Sequence, residues 1–275
     1  PLSFFGLLLL VWANTYIANR AATGLIVNQM ERDAQSVANT VPYFAQTGQS
    51  LLNSLAADSH LQSPDPATLT PWLSEQIRAV AYFRRLAFFD QTGSLVAYYP
   101  EAEDRAALLT LDEKIAIGLG VPQTLTIYPL NTSTGDVELS FIVPVIDSQT
   151  NILSGTLVGR AGIENNPLLE PAINQLQSLA AGGGHGYLLD ESDKIIFDSG
   201  RTQFLQTWII PEKLPEKLAA ANPDGIAYRD SAPGNTRRLV YYLPVNGYPW
   251  SVVIILPNEV VLRQATQITT PLILL

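Results

Sequence analysis

The segment FIVPV at 141–145 returns a hundred residues later as YYLPV at 241–245, and Leu139 returns as Leu239. Strand side chains alternate between two faces. An offset that keeps Leu, an aromatic, an aliphatic and Val at every second position therefore keeps one buried face in both copies. The turns repeat at the same stride. LAFFDQTGSLVAYYP (86–100) and GYLLDESDKIIFDSG (186–200) each read as two short strands folded about a tight turn, opened by Asp90 and Asp190. Gly93 closes the first turn, where a left-handed backbone costs glycine little; Asp193 takes that place in the second, and Asp tolerates it better than most residues. Two copies of one fold is the economical reading. Chance similarity between short amphipathic strands is the alternative.

Alternating hydrophobicity and turn residues place strands of the first copy at 85–90, 94–99, 123–129, 136–146 and 153–163, with a helix over 101–117. NNPLLEPAINQLQSLAAGGG (165–184) is a helical connector ending in glycines. The second copy repeats the plan, with strands at 186–190, 194–198, 225–230, 236–245 and 248–256 and a helical region over 211–221. Pro233-Gly234-Asn235 and Asn246-Gly247 mark its last two turns. Ahead of both copies, Val27, Met30, Ala34, Val37, Val41, Phe44, Gly48, Leu51 and Leu55 step by three and four. That spacing predicts a long helix lying against something, kinked at Pro42. SPDP at 63–66 ends it, and Thr70 caps a shorter helix starting at Pro71.

Composition narrows the function. A net charge of −9 and a pI near 4.7, with no cluster of Lys and Arg, argue against nucleic acid. The absence of cysteine removes disulfides, thiol nucleophiles and thiolate metal sites. His60 and His185, the two histidines, have no His or Cys neighbours, so a transition-metal site is not expected. GGGHG at 182–186 is not a phosphate loop, because a helix precedes it and a strand follows. No cofactor is implied. Residues 1–13 are almost wholly apolar and the chain closes on PLILL. A span takes about 20 residues, so the N-terminal run reads as the end of a truncated membrane helix, a signal-peptide core or a buried helix.

A membrane helix, a helical stalk, two units in series each opening on an Asp-turn hairpin, and a second apolar helix resemble the double Cache sensor domains of bacterial receptors. The resemblance rests on this order of elements and covers nearly the whole chain. It implies an α+β fold in which a long N-terminal helix runs along two tandem PAS-like modules, each an antiparallel five-stranded sheet. It divides the chain into a membrane-helix end (1–13), a stalk helix (14–62), a membrane-distal module (63–165), a connector (166–184), a membrane-proximal module (185–257) and a closing helix (258–275). It further implies an extracytoplasmic location in a cell membrane, a small ligand in the distal module, a homodimer, and an output region beyond this chain: histidine kinase, chemoreceptor, cyclase or phosphatase.

Within that frame, strand alternation puts Val137, Leu139, Phe141, Val143 and Val145 on the face toward the long helix. Glu138, Ser140, Ile142 and Pro144 fall on the face toward the pocket, with Arg238, Val240, Tyr242 and Pro244 as their second-module counterparts. Glu138 either lines the pocket or meets solvent. Arg160 lies in GTLVGRAGIE, a strand otherwise free of charge until its last residue. Amino-acid-binding relatives resemble one another in having an aspartate there, so Arg160 implies a carboxylate or other anion as ligand; the alternative is an ion pair with Glu138 or another carboxylate. Arg105 matches the start of that branch's Arg-x-Trp-Tyr pattern, but Ala106, Ala107 and Leu108 follow it, which puts standard amino-acid recognition in doubt. Tyr98 and Tyr128 offer hydroxyls and a ring wall. Of Arg84 and Arg85, alternation allows at most one to point inward, and Arg85 is taken. Glu101, Glu103 and Asp104 suit the positive end of the helix they open.

The candidate ligand-binding residues are therefore Arg85, Tyr98, Tyr128, Glu138, Ser140 and Arg160, with no catalytic and no metal-binding residue. Two other functions remain open: a ligand-free scaffold that dimerises through the seam from Val27 to Leu55, and an extracytoplasmic hydrolase using carboxylates alone.

Overall fold

The computed structural model describes residues 2–62, 65–100, 109–129, 135–147, 149–209, 225–231 and 237–273. It opens with α1 (Leu2–Ala56), which continues through Pro42, and a 3-10 turn at Ser59–Leu61. There follow α2 (Pro66–Ala79), β1 (Arg85–Asp90), β2 (Leu95–Tyr99), α3 (Leu111–Leu119), β3 (Gln123–Ile127), β4 (Glu138–Ile146) and β5 (Leu153–Gly162). The second half holds α4 (Glu170–Ala181), β6 (His185–Leu189), β7 (Ile195–Asp198), β8 (Ile226–Ser231), β9 (Arg237–Pro244), β10 (Ser251–Pro257) and, as the last described helix, α5 (Asn258–Ile273). Among the described residues, no helix is long and apolar enough to cross a membrane.

The strands form two antiparallel five-stranded sheets, ordered β2-β1-β5-β4-β3 and β7-β6-β10-β9-β8. The orders are the same once the strands are numbered within each copy, so the hundred-residue stride reflects one topology used twice. The α+β class and the long N-terminal helix agree with the sequence expectation. The chain divides into two compact units, residues 40–171 around the first sheet and residues 1–39 with 172–275 around the second. Residues of α1 belong to both.

Several local expectations are corrected. Asp65, not Thr70, caps α2: its side chain accepts from the Ala67 amide at 3.3 Å, so the helix starts at Pro66 and Pro71 lies inside it. The helix expected over 101–117 is described only from Leu111, where Thr110 and Glu113 form a reciprocal capping box. The acidic cluster Glu101, Glu103 and Asp104, together with Arg105, the helical region 211–221 and the turn at Pro233, lies outside the described residues.

The seam of α1 is buried within the chain. Met30, Ala34, Val37, Val41, Phe44 and Gly48 fall where the spacing puts them, but at the ends Ile26, Leu52 and Ala56 are buried and Val27, Leu51 and Leu55 only half-buried. A helical turn of 3.6 residues makes a fixed three-four alternation drift by one position over several turns. In the first unit, Phe44 meets the Phe141 ring edge-on at 6.4 Å, and the Tyr82 hydroxyl donates to the Phe44 carbonyl at 2.7 Å. The scaffold reading, in which this seam pairs two subunits, loses its surface, since the same side chains already form the chain's own core.

Candidate functional site

On the first sheet, cross-strand register sets Arg85 of β1 opposite Arg160 of β5, and Arg160 opposite Ser140 of β4. Partners across antiparallel strands share a face. The three side chains thus form a row on the side away from Phe141, with Glu138 two residues along β4. Ala87, Phe89, Ile142 and Val158 continue this face as an apolar patch, and Ala116 and Ile117 of α3 pack on it. The expected split of β4 into two faces holds, and the second face is covered by a helix.

The sequence reading missed Glu113. It stands three residues after the N-cap of α3 and is fully buried. Arg160, with 6% of its surface exposed, donates from Nε to Glu113 Oε1 at 2.9 Å and from Nη2 to Oε2. Ser140 Oγ adds a bond to Oε1 at 2.6 Å, and the Thr110 amide one to Oε2 at 2.8 Å. Arg160 therefore sits in a two-pronged ion pair with Glu113, and Glu138 comes only to 3.8 Å of Nη1. A guanidinium matches a carboxylate in this fork geometry, and here the carboxylate is the protein's own. The Thr-x-x-Glu capping pattern was visible in the sequence; its partners, 27 and 47 residues away, were not.

Glu138 is also buried, and it draws both neighbouring arginines. Arg84 Nη1 lies 3.9 Å and Arg85 Nη2 4.0 Å from its Oε1. Alternation predicts opposite faces for the two, yet both guanidinium groups come to the same carboxylate while staying partly exposed, at 35% and 46%. Arg84 precedes β1, so strand alternation does not govern it, and its guanidinium lies over Gly162, where a Cβ would collide with it. Arg84 also pairs with Asp136 at 3.0 Å. Burial still pushes the Asp136 carboxyl up to about 6, against the pull of Arg84 and helped by Glu164 and Glu138 nearby.

Beside the arginine row is a cavity of about 20 Å³, lined by Arg85, Leu86, Ala87, Tyr98, Leu109, Val158 and Arg160, room for about one water. It brings together Arg85, Tyr98 and Arg160 from the sequence candidates. Ser140 bonds Glu113 and Glu138 lies 3.8 Å from Arg160, neither in the lining, while Tyr128, just past β3, is half-buried and also outside it. Among the described residues, no group of three His, Asp or Glu side chains is arranged to hold a metal ion. His60, in the 3-10 turn, bonds Asp58 at 2.7 Å and stacks on Trp72 of α2. GGGHG closes α4, with the Gly183 amide on Ala180 and the Gly184 amide on Leu179, and leads straight into β6.

Comparison with known proteins extends this picture. A family model described as Cache domain matches residues 18–265. The fold is similar to the ligand-binding domain of the amino-acid chemoreceptor PctC of Pseudomonas aeruginosa, solved with GABA. Identity is 19%, 83% of this chain and 99% of that one are covered, and the TM-score is 0.59. It is also similar to the ligand-binding domain of the chemoreceptor CtaA of Pseudomonas fluorescens, solved with L-isoleucine (15% identity, 89% and 97% covered, TM-score 0.58). A third likeness is the sensory domain of the chemoreceptor Tlp3 of Campylobacter jejuni (12% identity, 89% and 98% covered, TM-score 0.61). No match was found among curated protein sequences.

Proposed function

The chain belongs to the double Cache domain family, and on that premise we propose that it is the extracytoplasmic ligand-sensing part of a bacterial transmembrane receptor whose first module takes a small carboxylate-bearing molecule. The observation that carries the ligand class is Arg85, whose partly exposed guanidinium belongs to the wall of the first-sheet cavity beside Arg160. The solved relatives named above with GABA and L-isoleucine hold ligands that carry such a carboxylate. Glu113 already occupies Arg160, so the ligand carboxylate falls to Arg85. That side chain is 46% exposed and approaches Glu138 only to 4.0 Å. Tyr98 supplies a ring wall, and Arg160 with Glu113 holds α3 in place over the sheet.

A molecule of several heavy atoms does not fit the space as it stands. Binding therefore moves Leu109, the wall residue next to the α3 cap, and the ligand biases the receptor by its differential affinity for the moved and unmoved states. The change passes through α1 and α5 to a membrane and to an output region beyond this chain, in a homodimer. Isothermal calorimetry against amino acids and short mono- and dicarboxylates tests the reading. One class is expected to bind, with affinity reduced about tenfold or more in Arg85→Ala, the loss of one charge-assisted hydrogen bond. Equal binding by Arg85→Ala, or no binding by any of these compounds, would overturn the carboxylate assignment.

A further inference from the structure

The second sheet carries a pocket at the register of the first-module site. His185 of β6 stands opposite Ile255 of β10, and Ile255 opposite Val240 of β9. These are the positions that Arg85, Arg160 and Ser140 hold in the first sheet. Arg238, paired with Pro257, stands where Glu138 stands opposite Gly162. One topology used twice thus repeats the recess but changes its chemistry: both arginines of the row are gone and the carboxylate is replaced by a guanidinium.

The recess has a volume of about 150 Å³ and is lined by His185, Tyr187, Thr202, Gln203, Arg238 and Ile255, with Pro257 at its edge. It is larger than the cavity of the first module. Its arginine is already paired. Arg238 gives Nε and Nη2 to Asp230 at 2.6 and 3.0 Å and lies over the Trp208 ring at 5.0 Å. Asp198, buried nearby, spends its carboxylate on the amides of Gly200 and Gln203 at 2.8 and 2.7 Å. The loop it holds supplies Thr202 and Gln203 to the recess and bends through left-handed backbone at Arg201 and Leu205. For a leucine that is a costly conformation, the kind that clusters at ligand sites. His185 Nδ1 is buried without a hydrogen-bond partner, which calls for an occupant or a water in the vicinity.

We propose that this recess is a second binding site, taking a small uncharged molecule with a carbonyl oxygen, such as a short amide or lactam of about six heavy atoms. The carbonyl accepts from Tyr187 and Arg238, and the apolar part rests on Ile255 and Pro257. Burial, with the nearby Asp198 charge, raises the Tyr187 phenol, so it remains a donor. An anion finds no spare positive charge, because Asp230 cancels Arg238.

Nitrogen–proton correlation spectra of the whole chain test this through the indole signals. Titration with 2-pyrrolidone or propionamide is expected to shift the Trp208 indole peak saturably and to leave Trp72, on α2 of the first module, in place. The first-module and second-module readings therefore fail separately. Ile255→Phe fills the recess and is expected to weaken the response at least about tenfold. Should that variant lose its dispersed spectrum, Tyr187→Phe, which removes a donor and no volume, is expected to weaken it several-fold and decides the matter. No Trp208 shift with either amide, a response undiminished in a folded variant, or a stronger response to propionate overturns the proposal.

Discussion

Glu113 shows how a single side chain can settle what a neighbouring one is for. Both its oxygens are held, by Arg160, Ser140 and the Thr110 cap, in a place with no solvent access. Removing one partner of such a pair strands the other charge, at a cost of about 3–5 kcal/mol. Glu113→Gln is therefore expected to lower the urea unfolding free energy by that order. Glu113→Leu combined with Arg160→Met should recover most of it, because neither charge is then left alone. Arg160 stood out in the sequence as a lone charge in an apolar strand, which is why it looked functional. A lone charge says that a partner exists. Whether that partner is a ligand or another residue is decided by which side chain the fold brings across, and no local pattern records that.

At the scale of elements, the period of the apolar positions carried the most information. β1 runs over the residues that alternation assigned to it, and α1 buries the central part of the seam that three-four spacing marked. The glycines of α1 separate packing from propensity. A Cβ on Gly48 would fall within the contact radius of the Tyr82 hydroxyl and the Phe141 ring, whereas one on Gly24 meets nothing within 4 Å. Gly24→Ala is expected to raise stability by up to about 1 kcal/mol, the helix-propensity gain. Gly48→Ala carries the same gain but is expected to be destabilising by about 1–3 kcal/mol, since overpacking outweighs it. Thermal melts of the two variants check the opposite signs. The helix after β2 was the less legible element: its cap at Thr110 needs only local chemistry, yet the acidic run upstream offered a competing start.

For the whole molecule, the balance of charges makes a statement about pH. Asp136 titrates near 6 when folded and near 3.8 when unfolded. The native state thus keeps a proton, between pH 4 and 6, that the unfolded chain has released. The resulting stabilisation is full below the unfolded value and lost as pH rises through the folded one, up to about 3 kcal/mol at 1.36 kcal/mol per pKa unit. Unfolding free energy is expected to fall from pH 4 to 6.5, and Asp136→Asn to flatten that slope. Asp58, Asp90 and Asp147, held below the usual carboxylate value by hydrogen bonds that outweigh burial, act below this window and with the opposite sign. A wild-type curve that rises from pH 4 to 6.5 would contradict the burial of Asp136.

Sequence alone determined that there are two sheets of one design and a long helix to serve them, because periodicity and turn chemistry are local and a hundred-residue offset repeats them intact. The tertiary structure decided what each sheet face is used for. Equivalent positions carry Arg85, Arg160 and Glu138 in one module and His185, Ile255 and Arg238 in the other. Their roles follow from which charges meet, Glu113 on Arg160 and Asp230 on Arg238, and from the space left beside them. Both are set by long-range closure, which brings together residues whose separation along the chain carries no signal.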